Sequence, residues 1–246
     1  MNKIVIYTTL FFSLSARSQE TVYPTPPQAG STIITNATVH VGNGQVLEGA
    51  SILITGGKIV SVGTSVTAPA GATRVDASGK HVYPGLILPV STLGLVEINS
   101  VRATVDAVEI GELNPNIRSI VAYNTDSKII NTLRSSGILL ANVVPQGGLL
   151  SGASSIVQLD AWNWEDAAYK TDAGIHLNMP LMLPRPAGAR GGVAQQGPVV
   201  DPVKQGLEQV DKLKSFLKEA QAYNSVTDHE ETNLKFAAVK GLFNKS

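Results

Sequence analysis

The chain has 246 residues and is 43% apolar, enough to bury one large core or two modest ones. Lysine plus arginine equals aspartate plus glutamate at 19 each, which removes any general attraction to nucleic acid or to an anionic membrane surface. Cysteine is absent, so thiolate catalysis, iron–sulfur clusters, zinc–thiolate sites and disulfides are excluded.

The opening MNKIVIYTTLFFSLSARSQE sets Lys3 before an apolar run from Ile4 to Leu14, then Ala16-Arg17-Ser18. This is the pattern of a secretory signal peptide over residues 1–18, cleaved after Ser18. The run is too short to span a bilayer, so the mature chain is expected in the periplasm or outside the cell, with no integral membrane span. Residues 19–30 carry Pro24, Pro26 and Pro27 and read as an extended tether.

From 31 to 83 the chain alternates β-branched runs with glycine: TIITNATVHV, Gly42-Asn43-Gly44, SILIT, Gly56-Gly57, KIVSV. Turn residues able to take positive φ between alternating apolar positions predict hairpins, hence a small antiparallel β-unit. Asn36-Ala37-Thr38 matches a glycosylation sequon but reads as a strand residue with two neighbours. A further strand is expected around Thr73 to Val75, a turn at Ser78-Gly79, and another strand running into Pro84-Gly85.

The words IITNATVHVGNGQ, ASILITGGKIVSVG, RVDASGKHVYPGLI and LGL occur in this order within residues 33–95. In order and spacing this stretch resembles the opening of the amidohydrolase superfamily, in its branch of imidazolonepropionase-like metal-dependent hydrolases. The resemblance implies an α/β fold: a small β-sandwich-like composite domain over 31–83, entering a (β/α) TIM-barrel-like portion over 84–182. In that family the strand after Pro-Gly-Leu-Ile ends in Asp-x-His-x-His, whose histidines hold a divalent metal, typically zinc. Two imidazoles at alternate strand positions reach one ion because every second side chain points to the same face. Matching Pro84-Gly85-Leu86-Ile87 puts the aspartate position at Leu88 and the histidine positions at Val90 and Thr92. Valine has no donor atom and a neutral hydroxyl is a poor substitute for imidazole. No catalytic residue, metal ligand or cofactor is therefore expected in this chain.

Residues 111–180 resemble the first barrel units of the same branch. Read from the residues, Asp126 to Ser136 is a helix with Ile129, Ile130 and Leu133 as its apolar stripe and Gly137 closing it. ILLANVV is a continuous apolar run, the mark of a parallel strand buried on both faces. SSIVQL is a further strand and WNWEDAAYK a short helix.

Other site candidates are few. His40, in the β-unit, His81, before the barrel strand, and His229, in a charged loop, read as structural or surface residues. His176, after a helix and near a barrel rim, is better placed, but one histidine makes no metal site. Asp160, Glu165 and Asp166 form the best carboxylate cluster, and their position favours capping a helix start over paired acid–base work. QGGLLSG lacks the lysine and spacing of a phosphate loop and reads as a tight turn. Trp162 and Trp164 read as packing residues.

LPRPAGARGGVAQQGPVVDP, covering 183–202, is a Gly/Pro-rich flexible insertion in which Arg185 and Arg190 are exposed. The helical segment 203–246 follows. Asp201-Pro202 caps a helix whose Val203, Leu207, Val210, Leu213, Leu217 and Ala220 form an apolar stripe. A last helix from Asn233 to Phe243 shows Leu234, Ala237, Ala238 and Leu242 on one side.

A (β/α)₈ barrel takes about 250 residues, more than residues 85–246 supply, so the expected barrel is incomplete. Two functions follow. One is an exported amidohydrolase-like protein or fragment, resembling hydrolases of carbon–nitrogen bonds in cyclic amides but inactive as it stands. The other is a non-catalytic interaction module that self-associates or is completed by a partner chain.

Overall fold

The computed structural model describes residues 24–183, 201–226, 228–229 and 231–243. Residues 1–18, where a signal peptide is expected, and Arg185 and Arg190 lie outside them.

The first sheet contains β1 (Ser31–His40), β2 (Val46–Thr55), β3 (Lys58–Gly63), β4 (Thr73–Asp76) and β5 (His81–Val82). The hairpins fall where the glycines place them. Gly56 and Gly57 both take positive φ between β2 and β3, the requirement of a turn that matches strand twist. The sheet is nevertheless mixed, which corrects the expected antiparallel unit: β2 pairs β1 antiparallel, while β4 and β5 pair its other side in parallel. Residues 64–72 carry the chain from β3 across to the free edge of β1 and to the starting end of that strand, where Thr73 pairs with Thr32, so β4 runs in the direction of β1. Asn36 is a strand residue at φ 60, where the β1–β2 register slips, and its amide donates to the Asp76 carboxylate at 3.0 Å. The buried side is built of small residues, Ala37, Ala50 and Ala77, with Val39 and Ile52.

The second sheet has the order β6 (Leu86–Ser91), β7 (Ile138–Val143), β8 (Leu150–Gln158), β9 (Ala168–Leu177). β6 and β7 are parallel, with α1 (Lys128–Ser135) between them in sequence, so one βαβ unit is present. Next comes an antiparallel meander, β7–β8–β9. The α/β class with an incomplete barrel-like portion thus stands, but β7 has a parallel neighbour on one side only. It is not buried on both faces either, since Leu139 is 52% exposed. On α1, Ile130 is buried and Leu133 packs on the core, whereas Ile129 faces out. The expected helix over WNWEDAAYK shrinks to α2 (Trp164–Ala167), because Ala168 onward pairs with β8.

Residues 92–126 join β6 to α1 without a regular strand, and their backbone lies along the second sheet. Leu95 and Ile120 from this segment bury among Val143 and Val157 of the sheet. Leu113 bridges to Leu150 and Arg118 to Ala153 in parallel. The approach is close: a Cβ on Gly148 would stand 2.8 Å from the Gly111 carbonyl oxygen, and one on Gly152 2.6 Å from that of Ile117.

α3 (Pro202–Asn224) begins as its sequence requires, with the Asp201 carboxylate accepting from the Val203 N–H and proline in the first turn. Its buried side is Gly206, Phe216 and Ala220, while Val203 and Leu207 are exposed. The predicted stripe missed Phe216. α4 (Leu234–Ala238), continued by a 3₁₀ turn at Lys240–Leu242, also packs through other residues than expected: Val239 and Phe236 face inward, whereas Leu234 and Leu242 lie open. Both helices meet the second sheet at Leu150 and Ile175. The described part of the Pro-rich segment is irregular but pinned. The Thr25 N–H donates to Asp160, and Gln28 bonds to Thr32 and Gly57.

Candidate functional site

The C-terminal end of β6 is where the resemblance puts chemistry, and its geometry departs from a regular strand. Leu88 pairs with Ala141 and Ser91 with Val143, so three residues of β6 oppose two of β7, and the register slips between them. Pro89 sits in this bulge. It lacks an N–H for the ladder, and its carbonyl accepts instead from the Asn142 amide at 3.1 Å. The alternation that two metal-binding side chains need is therefore broken between Leu88 and Ser91. Leu88 packs half-buried on the core, Val90 is 67% exposed, and Thr92, just past the strand, accepts through its carbonyl from the Leu95 N–H.

Beside this end lies a cleft of about 330 Å³ whose lining includes Leu95, Asp106, Glu109, Arg118, Ser119 and Pro145. Its polar groups are already engaged in part. The Ser119 hydroxyl donates to the Val143 carbonyl at 2.8 Å, and Arg118 Nε donates to Asp172 at 2.8 Å. A second cleft of about 580 Å³ adjoins it between β9 and the 3₁₀ turn after α4, sharing Asn116 and Arg118. Asn116 Oδ1 is buried there without a hydrogen-bond partner among the described residues. Nothing in the sequence flags these positions, because residues 92–126 follow neither helical nor strand periodicity. Among the described residues no group of three or more histidine, aspartate or glutamate side chains is placed to hold a metal ion.

Of the carboxylates of LDAWNWEDAA, Glu165 and Asp166 lie in the first turn of α2, as expected, but neither supplies the capping oxygen. Asn163, not an aspartate, supplies the oxygen at the start of α2, accepting from the Asp166 N–H at 2.8 Å. Asp166 accepts from the Trp162 N–H, and Asp160 pairs with Arg134 at 3.1 Å. Trp162 and Trp164 are not packing residues: they are 56% and 39% exposed. QGGLLSG is a tight turn into β8, with Gly147 and Gly148 at positive φ.

His40 lies in β1, His81 in β5 just before β6, and His229 outside any helix or strand, each where the sequence puts it. His176 comes after α2, as expected, within β9 opposite Gly152, and burial pushes its imidazole below the ordinary range. His229 stacks face to face on Tyr223 at 3.8 Å. His40 and His81 are brought together: His40 Nε2 and His81 Nδ1 are 3.0 Å apart, and Tyr83 stacks on the His40 ring at 4.1 Å.

These features define an α/β chain that shares the amidohydrolase architecture in part. The crystal structure of an amidohydrolase from Thermotoga maritima matches it with a TM-score of 0.68 at 19% identity, over 84% of this chain and 54% of that one. The likeness is one of fold, and this chain spans about half the length of that relative. A prolidase from Bifidobacterium longum (28% identity, TM-score 0.25, 28% of this chain and 18% of that one) overlaps only locally. So does a prolidase complexed with N-methylphosphonate-L-proline (25% identity, TM-score 0.33, 45% and 25%). No family model matches the chain, and no curated protein matches it in sequence.

Proposed function

We propose that this chain is a degenerate amidohydrolase-superfamily protein that does not catalyse hydrolysis as it stands. The observation that carries this reading is the end of β6. Counting from Pro84-Gly85-Leu86-Ile87, Leu88, Val90 and Thr92 stand at the positions where the resembled family has carboxylate and imidazole, and a bulge interrupts the alternation of β6 between Leu88 and Ser91; the fold shared with an amidohydrolase supports the reading. The adjacent cleft offers Asp106 and Glu109 but no histidine. The proposal includes export: residues 1–18 have the layout of a signal peptide, and the N-terminal sequence of the secreted form should begin at Gln19. The test of inactivity is an assay of the purified chain, with zinc or manganese added, against cyclic amides and proline-containing dipeptides. Turnover should not exceed that of the metal ions alone. Chelator-sensitive turnover that copurifies with the chain would overturn the reading.

A second reading, a non-catalytic module that self-associates or is completed by a partner chain, is supported by the outer strand β6. It pairs only β7 among the described residues, and Leu86, Ile87 and Val90 are 59%, 60% and 67% exposed. An apolar, one-sided edge strand favours pairing or cover. Size-exclusion chromatography with light scattering should then show more than one chain per particle at micromolar concentration. A sharp monomer with strong amide protection along β6 counts against it.

A further inference from the structure

We infer that His40 and His81 form a two-imidazole binding site for a divalent first-row transition ion, with Cu²⁺ the best fit, on the outer face of the first sheet. The register builds it. Thr38 pairs with His81 on adjacent parallel strands, so His40, two residues beyond Thr38, projects on the same face, and Tyr83 follows two residues after His81. The opposite face of the same strands carries the buried Val39 and the half-buried Val82, which fixes which way the histidines point.

The distance suits chelation. Bonds of about 2.05 Å from one ion to two imidazole nitrogens place those nitrogens about 2.9 Å apart at a right angle and about 3.3 Å apart at the tetrahedral angle. The observed 3.0 Å between His40 Nε2 and His81 Nδ1 lies in that window. The rings are also held. Tyr83 stacks on His40 with planes 13° apart, and the turn after β1 closes on the same corner, where a Cβ on Gly42 would stand 3.2 Å from Pro84. Restricting both rings before the ion arrives lowers the ordering cost of binding. Two neutral imidazoles favour Cu²⁺ over Ni²⁺ and Zn²⁺, with water completing the coordination sphere. Because β5 is only two residues long, a bound ion would clip the segment leading into β6 onto β1.

The site is separate from the end of β6 and independent of whether the chain hydrolyses anything. Its test is calorimetric titration of the tag-free full chain with Cu²⁺, together with electron paramagnetic resonance of the loaded protein. One ion per chain is expected, with hyperfine coupling to nitrogen and a rise in Tm. His40→Ala and His81→Ala should each weaken binding at least tenfold. His40→Gln, which keeps a hydrogen-bonding group toward His81 but no ring nitrogen, should weaken it equally. His176→Ala should leave it unchanged. Absence of binding at millimolar Cu²⁺, or binding that neither His40→Ala nor His81→Ala alters, would show that the pair is only a hydrogen bond.

Discussion

The two sheets reach their structures by different routes. In the first, β1 to β3 are joined by turns of a few residues, and local chemistry sets the register: glycines at Gly56-Gly57 and alternating side chains decide which face is buried. In the second, β6 and β7 are joined through residues 92–126 and α1, and the core closes only when Leu95 and Ile120 arrive from that irregular segment. The first sheet is a problem of pattern, the second one of long-range packing.

If that contrast is right, the largest loss of stability should come from the segment that has no pattern. Ile120 is fully buried, and Ile120→Ala should cost about 2–5 kcal/mol in denaturant unfolding, through lost contacts and the cavity left behind. A loss below about 1 kcal/mol, the range of an ordinary surface change, would mean that the segment is a passive cover. Gly152→Ala probes the same packing from the strand side. Gly152 has φ 126, and the new methyl would meet the Ile117 carbonyl, so a cost of about 1–3 kcal/mol is expected from backbone strain alone.

How much was legible follows the same division. The hairpins and the Asp201-Pro202 start of α3 could be read directly, because each depends on neighbours in sequence. The parallel entry of β4 and β5 could not, since nothing in their residues says from which side they approach β1. Phe216 and Val239 were missed as core because a helix touching a sheet through part of its surface need not bury its whole apolar stripe. The pairing of His40 with His81 depends on the β1–β5 register, and the clefts at Arg118 and Asn116 depend on a segment without period.

Local features should give smaller and more contained effects. Asp201→Ala removes the oxygen that accepts from the Val203 N–H and should cost about 1 kcal/mol, read as faster amide exchange in the first turn of α3. Unchanged exchange there would mean that packing, not the cap, fixes the helix start. Asp76 should give the smallest effect, and one that depends on pH. The Ser78 hydroxyl, then the Asn36 amide and the Ser78 N–H, hold its carboxyl below the usual range. A depressed folded pKa gives stability that is complete above the unfolded value of about 3.9 and disappears as pH falls through the folded value. The small Tm gap between the natural chain and Asp76→Ala should therefore hold from neutral pH down to about pH 5 and close in stronger acid. A gap that widens on acidification would contradict the assignment.

The central claim, that the end of β6 holds no catalytic metal, is tested most directly by elemental analysis of the His40→Ala/His81→Ala double variant. The protein is loaded with zinc and then dialysed into metal-free buffer, so that the surface pair cannot contribute. Far less than one zinc per chain should remain, because Leu88, Val90 and Thr92 offer no carboxylate or imidazole. One zinc per chain, retained through dialysis, would contradict the account and show that the chain holds a metal site without the surface histidines.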